Sequence, residues 1–177
     1  MAPIDSPLTL CLALFACWAL VGASGLLRPN SVALVGRVLF PLGAVIGVGL
    51  AIVAVTSLTQ PVERATLLIG LPDLPMHVRL DNLSRVFLAL LGSASAGVSL
   101  FAAGYFRKGE GTAPGVLGLE YHLFLASMGF VLVADDAYAF MVAWETMALT
   151  SYFLVTAQHG IPEIRSAGFL YLVRANV

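Results

Sequence analysis

Apolar segments about as long as a bilayer is thick recur along the sequence and constrain the fold more than any other feature. A membrane-spanning helix needs about 20 mostly apolar residues. The expected spans are residues 8–27, 35–58, 82–106, 117–134 and 137–158. Only 11% of the 177 residues are charged, whereas soluble domains carry roughly 25%. The sequence therefore predicts an all-α, polytopic membrane helix bundle with five transmembrane helices and a partial sixth over 164–177.

The segments between the spans carry helix-breaking and helix-capping residues. Pro29 interrupts the chain after the first span, and Ser31 can cap the second. Residues 59–81 hold three prolines and five charged residues, so we expect a loop whose apolar pieces form an extended hairpin on the domain surface. Only Asp135 and Asp136 separate the fourth and fifth spans, which must be antiparallel neighbours. Acidic side chains at a helix start interact favourably with its dipole.

The third span is expected to begin at a cap formed by Asp81 or Asn82. Arg85 falls in its first turn, where we expect the long side chain to snorkel outward. The histidines His77, His122 and His159 are weak signals, typical of interface or solvated positions.

Both ends of the chain carry information. The segment "MAPIDS" has no Lys or Arg, and the apolar run 8–27 is longer than the roughly 7–15 residues of a signal-peptide core. We therefore expect a retained span, with cleavage as the alternative. Residues 164–177 would form about 21 Å of helix, too short for a bilayer core of roughly 30 Å. Because Arg174 also interrupts the apolar pattern, we expect the N-terminal part of a larger subunit, or a product altered by truncation or frameshift, with a natural protein that ends in a half-helix as the alternative.

Lysine and arginine residues are enriched in short cytoplasmic loops of membrane proteins. One set of loops holds Arg28, Arg37, Arg107, Lys108 and Arg165; the other side holds Arg64, Arg79 and Arg85. This modest bias predicts a multi-pass protein of a bacterial or archaeal cytoplasmic (inner) membrane with its N-terminus outside.

Several function classes find no support in the sequence. A net charge of −1 does not indicate nucleic-acid binding, and no glycine-rich phosphate loop is present. Cys11 and Cys17 lack metal-ligand spacing, and no nucleophile–base pair is visible. We therefore expect no catalytic residue, no metal and no cofactor in this chain.

Glu145 stands within the apolar fifth span. An acidic side chain near the bilayer centre costs around 2.5–3.5 kcal/mol on insertion scales, so we expect Glu145 to face protein or water. Thr146, Thr150 and Ser151 could support it by hydrogen bonding or by admitting another helix closely. Glu145 could take part in an ion or proton path, join helices structurally, or contact a transported substrate. The only lysine is Lys108, so a basic partner within the membrane would come from other helices or subunits.

Two motifs resemble a known family. The segment "FLASMGFVLVADDAYAFMVAWETMALTSYFLV", residues 124–155, resembles the fourth and fifth helices of proton-pumping antiporter-like membrane subunits. The segment "LDNLSRVF", residues 80–87, is similar to the start of their third helix. This family includes the large membrane subunits of complex I, multicomponent Na⁺/H⁺ antiporter subunits and hydrogenase membrane subunits. The form is most similar to the hydrogenase-4 and formate hydrogenlyase branch, and the resemblance covers about residues 80–172.

The resemblance implies that Glu145 is the family's fifth-helix glutamate, which pairs with a lysine on a later, broken helix. It implies a proton-translocating subunit that couples electron transfer in partner subunits to proton movement. Other membrane subunits, a peripheral redox arm of a hydrogenase or NADH-dehydrogenase-like complex, and membrane lipid would be its partners. A subunit of a multicomponent Na⁺/H⁺ antiporter and a non-transporting structural membrane anchor remain as alternatives.

Overall fold

Six helices and one β-hairpin make up the residues that the computed structural model describes, which are 6–71, 73–105, 111–158 and 160–175. The helices are α1 (Pro7–Ser24), α2 (Val32–Thr56), α3 (Asn82–Tyr105), α4 (Pro114–Val133), α5 (Ala137–Val155) and α6 (Pro162–Ala175). The hairpin strands are β1 (Glu63–Leu71) and β2 (Leu74–Leu80). Helices α1 to α5, five in number, are each long and apolar enough to cross a membrane. The predicted all-α membrane bundle is confirmed.

Local chemistry explains the helix starts. The Ser31 side chain accepts a hydrogen bond from the Leu34 amide at 3.2 Å, so α2 begins at Val32, before the expected residue 35. Asp81 accepts from the Ser84 amide at 2.8 Å and caps α3. Pro114 starts α4 before the expected residue 117, because proline is well suited to the first helical turn. Arg107, Lys108 and His159 lie outside the described residues.

A widened turn interrupts α2 near its start. Residues Val35–Leu39 form a π turn in which the Phe40 amide donates to the Val35 carbonyl. Pro41 follows directly and has no amide hydrogen to donate. Such π turns within α-helices are often found at functional sites, and this one brings the Leu39 carbonyl to α4.

Helices α2 and α3 pack with their backbones in close contact. A Cβ atom on Gly92 would lie 2.6 Å from the Gly47 carbonyl oxygen and 2.7 Å from the Ala51 amide nitrogen. Only glycine permits this approach, as is common where membrane helices associate through small residues.

Residues 59–81 contain the expected hairpin, and it lies across one end of the bundle. Glu63 of β1 accepts a hydrogen bond from the Leu8 amide of α1 at 3.0 Å. The Asp135 amide donates to the His77 carbonyl of β2 at 2.9 Å. These contacts place the hairpin over the start of α1 and over the junction of α4 and α5; we call this end the hairpin end.

At the opposite end of the bundle, the start of α4 is hydrogen-bonded to the segments that follow α1 and α5. The Gly115 amide at the start of α4 donates to the Pro29 carbonyl at 2.7 Å, next to the end of α1. The Thr112 amide donates to the Ala157 carbonyl, just beyond α5, at 2.9 Å. Consecutive spanning helices therefore run in alternating directions, and α4 and α5 are antiparallel neighbours.

Candidate functional site

Glu145 lies in the middle of the fifth spanning helix. It is the ninth of the 19 residues of α5. At 1.5 Å per residue, it stands about 12 Å from Ala137 and about 15 Å from Val155. Its side chain is half-buried. The sequence thus places an acidic group near mid-depth of a helix that is otherwise uncharged.

The side chain of Glu145 leaves α5 on the face away from α4. Three of the four buried residues of α5, Ala139, Ala143 and Thr150, share one face, and the fourth, Ala148, lies one turn beyond Glu145. Ala143 and Thr146 line a groove together with residues of α4, so this face is turned toward α4. At about 100° per residue, Glu145 lies about 200° around the helix from Ala143. The helix itself therefore separates Glu145 from α4.

The face that carries Glu145 borders α6. The Ser151 hydroxyl lies 2.6 Å from the Tyr171 hydroxyl of α6. A Cβ atom on Gly168 of α6 would lie 3.3 Å from the Tyr152 ring. Tyr152 lies two turns beyond Glu145 on nearly the same face, because about seven residues make two turns. The carboxyl group is therefore on the side of α5 from which α6 approaches.

The three supporting hydroxyl groups expected around Glu145 are used within the α5 backbone or by α6. The Thr146 hydroxyl donates to the Val142 carbonyl at 2.8 Å, and the Thr150 hydroxyl to the Thr146 carbonyl at 2.7 Å. Ser151 donates to the Ala148 carbonyl at 2.9 Å. No hydrogen bond found among the described residues joins these hydroxyls to Glu145, so their support of its carboxyl stays a prediction.

The acidic turn between α4 and α5 fixes the hairpin. Asp135 Oδ1 lies 2.9 Å from Arg79 Nε, and Asp135 Oδ2 lies 3.7 Å from Arg64 Nε. Sequence reasoning placed both aspartates as helix-end charges. Asp135 has a wider role, since it holds both strands of the hairpin.

Asp136 caps α5 and also binds β2. Its carboxylate accepts hydrogen bonds from the Ala139 amide at 2.7 Å and from the His77 amide at 2.5 Å. These bonds, the one from Ala139 first, hold the pKa of Asp136 below its ordinary value because they stabilise the charged form.

Arg85 corrects an expectation from the sequence. Its side chain does not snorkel outward but is fully buried near the start of α3. The guanidinium donates to the carbonyls of Gln60 and Pro61, each at 2.7 Å, and to the Asn82 side chain at 2.8 Å. The loop after α2 turns its carbonyl groups inward, and their hydrogen bonds stabilise the buried arginine. Nothing in the local sequence of α3 indicates that these acceptors lie nearby.

Helix α4 carries polar residues that sequence reasoning missed or gave little weight. His122 is fully buried, with Nδ1 at 2.7 Å from the Gly118 carbonyl and Nε2 at 3.2 Å from the Leu39 carbonyl at the π turn. Tyr121 bonds through its hydroxyl to Ser99 of α3 at 2.9 Å. Glu120 is half-buried. A carboxyl group in a spanning helix is the sequence signal that marks Glu120, as it marks Glu145.

An apolar groove of about 390 Å³ lies between α1, α4, α5 and the hairpin. Phe15, Met76 and Phe130 are among its lining residues. Among the residues that the structure describes, no group of three or more His, Cys, Asp or Glu side chains could hold a metal ion.

Comparisons with known proteins find partial similarity to one hydrogenase component and to two uncharacterized proteins. No protein-family model matches the chain. It is 35% identical over 130 residues to two Mycobacterium tuberculosis proteins, the uncharacterized proteins Rv0083 (strain H37Rv) and MT0090 (strain CDC 1551), covering 73% of this chain and 19% of each relative. It is also 35% identical over 101 residues to hydrogenase-4 component B of Escherichia coli K12, covering 57% of this chain and 15% of that protein. The chain thus spans about a fifth or less of the length of these relatives. Its five apolar helices mark a multi-pass membrane protein, and that protein is similar over 101 residues to a hydrogenase-4 component.

Proposed function

We propose that this chain is the N-terminal part of a proton-translocating membrane subunit of a hydrogenase or NADH-dehydrogenase-like complex. Such a subunit couples electron transfer in partner subunits to proton movement across the cytoplasmic membrane. The observation that carries the proposal is the half-buried Glu145 in the middle of an apolar spanning helix. Similarity to hydrogenase-4 component B supports the kind of complex.

Glu145 has the properties that a proton-carrying group needs. Burial favours the neutral acid, whereas a cation that approaches favours the carboxylate. A carboxyl group balanced between these influences takes up or releases a proton when its partner moves. Its direction, toward α6 and away from α4, leaves it open to a partner from elsewhere in the assembly. Thr146 and Thr150 lie on the face toward α4, whereas Ser151 lies beside α6, where a small residue permits a close helix contact.

The hairpin end is proposed to face the outside. The positive-inside pattern assigns the loops with more basic residues to the cytoplasm. Arg28 and Arg37 then lie on the cytoplasmic side, and β1 and β2 lie outside. Other membrane subunits and a peripheral redox arm would complete the complex, and the redox groups would belong to these partners.

The test is the substitution Glu145→Gln in the complete subunit within its complex. Glutamine keeps the shape of the side chain but cannot bind and release a proton. In inside-out membrane vesicles we expect electron-transfer-driven acidification, followed by a pH-sensitive dye, to fall by about tenfold or more, since removing a general acid–base group costs about that much or more. The matched control is Glu163→Gln, the same change at an exposed position in the first turn of α6.

Three outcomes separate the candidates. A loss of acidification in Glu145→Gln but not in Glu163→Gln supports proton translocation. Sodium movement that depends on Glu145 and persists without electron transfer indicates a Na⁺/H⁺ antiporter subunit instead. Full acidification in both variants identifies a structural anchor and refutes the proposal.

A further inference from the structure

A second carboxyl group lies within the spanning part of the bundle, on α4. Glu120 is the seventh residue of α4, about 9 Å from the helix start at 1.5 Å per residue. Its Oε2 atom is shielded from solvent and has no hydrogen-bond partner among the described residues. A buried carboxylate oxygen without a donor is strongly disfavoured, and such a group neutralises instead. The geometry therefore fits an uncharged carboxylic acid.

The face of α4 that carries Glu120 is turned toward α5. Ser127 follows Glu120 by about two helical turns, so the two residues share a face. Ser127 and Thr146 of α5 line the same apolar groove. Glu120 therefore lies along the contact between α4 and α5, on the far side of α5 from Glu145.

The two joints between α4 and α5 fix the depth of Glu120. The helices meet at the acidic turn before Ala137 and again where the Thr112 amide donates to the Ala157 carbonyl at 2.9 Å. Because α4 and α5 are antiparallel, equal numbers of residues counted along each helix from either connection lead to the same depth. Glu120 of α4 is then at the depth of Thr150 of α5. Glu145 is about 7.5 Å nearer to the hairpin end along the axis of α5. The two carboxyl groups therefore occupy separate positions.

No described cation neutralises Glu120. The titratable or charged residues on the helices packed against α4 are Cys11 and Cys17 on α1, Arg37 on α2, Arg85 and Tyr105 on α3, and Tyr138, Glu145 and Tyr152 on α5. Arg37 is exposed on the π turn, and Arg85 is bonded to loop carbonyls at the hairpin end. No ion pair found among the described residues involves Glu120. Since no described cation offsets a negative charge on Glu120, its surroundings favour the uncharged carboxylic acid.

We propose that Glu120 is a second proton-binding site of this membrane domain, where a neutral carboxylic acid is held between α4 and α5, separately from Glu145. The presence of this proton does not depend on the proposed function. A role of this proton in transport does rest on the proposed function, because Glu120 would then be a second proton-binding position along the path, farther from the hairpin end than Glu145.

The experiment uses N,N′-dicyclohexylcarbodiimide, an apolar reagent that modifies protonated carboxyl groups. The acid proton goes to one nitrogen, the carboxyl oxygen bonds to the central carbon, and the acyl group then shifts to nitrogen. The product is a stable N-acylurea from which no atom leaves. The whole protein is treated in its native membrane, digested, and its peptides are measured by mass spectrometry.

We expect about tenfold more label on the peptide with Glu120 than on the peptide with exposed Glu163, because only a shielded, uncharged acid retains the reagent. Glu120→Gln should remove this label, and Glu145→Gln should leave it unchanged. Absence of label on Glu120 in the unaltered protein overturns the proposal without relying on any variant. Sodium ions that block the labelling at constant pH also overturn it, since they would indicate a metal-cation site. Neither result depends on whether Glu145→Gln stops proton movement, so the two proposals fail separately.

Discussion

Replacement of Gly92 by alanine should separate α2 from α3. A Cβ atom at this position would lie 2.6 Å from the Gly47 carbonyl oxygen and 2.7 Å from the Ala51 amide nitrogen. Both atoms belong to the backbone of α2, so no change of rotamer can relieve the contact. Ordinary contacts of a methyl group need about 3.5–4.0 Å. The helices must therefore move apart by about 1 Å, and the contacts along their whole interface weaken.

The expected cost follows from this geometry. Extra methyl groups forced into well-packed interiors cost about 1–3 kcal/mol, occasionally more. Because rigid backbone is involved on both sides, we expect Gly92→Ala to lower the free energy of unfolding by about 3 kcal/mol. Gly97 provides the matched control on the same helix, since a Cβ atom there meets nothing within 4 Å. Gly97→Ala should stabilise α3 by roughly 0.5–1 kcal/mol, because alanine restricts the unfolded chain more than glycine does.

Reversible unfolding in mixed detergent micelles, followed by far-ultraviolet circular dichroism, measures both variants against the unaltered protein. The two substitutions add the same methyl group to the same helix, so they differ only in what that group meets. Equal free energies of unfolding for Gly92→Ala and Gly97→Ala would refute the close α2–α3 contact.

Two further predictions concern the hairpin end. Asp136→Ala removes the cap of α5 and should lower the free energy of unfolding by about 1–2 kcal/mol at neutral pH. Because the folded state depresses the pKa of Asp136, this contribution is present above the unfolded pKa of about 3.9 and is lost as pH falls through the folded value; a variant whose deficit is as large in strong acid as at pH 7 would contradict it. Arg85→Met leaves the Gln60 and Pro61 carbonyls without their donor and should lower the free energy of unfolding by about 2–4 kcal/mol. Faster hydrogen exchange of the hairpin amides is a second expected result. Arg85→Lys, which keeps the charge, should lower the free energy of unfolding by less. An unchanged exchange rate in Arg85→Met would count against the buried hydrogen bonds of Arg85.

The sequence was sufficient for the spanning helices because each is specified by its own composition. A run such as Leu8 to Leu27 satisfies the bilayer length without reference to any other part of the chain. Prolines and charges in 59–81 likewise predict a surface loop with a hairpin, but not which helix ends the hairpin covers. The burial of Arg85 could not be predicted, since two of its three acceptors are carbonyl groups about 25 residues earlier, and backbone acceptors leave no mark on composition.

The candidate site shows the same division between local and distant information. Glu145 could be found from the sequence because a carboxyl group among apolar residues is costly wherever the helix packs. Burial of Glu120 carries the same free-energy cost, but Glu120 lies close to the start of α4 and so resembles a helix-end charge in the sequence. Its depth in the bundle becomes clear only from the two connections between α4 and α5, which place it level with Thr150.

The directions of the two carboxyl groups bear on how protons could move through such a domain. Glu120 is on the α4 side of α5, and Glu145 is on the side that borders α6. Direct transfer between them would have to pass around α5, whose hydroxyl groups at Thr146 and Thr150 already donate to their own backbone. Water or a moving side chain is then needed to join the two positions. A displacement of α6 along the Ser151–Tyr171 contact would change the surroundings of Glu145 first and leave the α4–α5 contact in place. The two carboxyl groups therefore have separate surroundings, which the proposed stepwise path would need and a single carboxyl group does not provide.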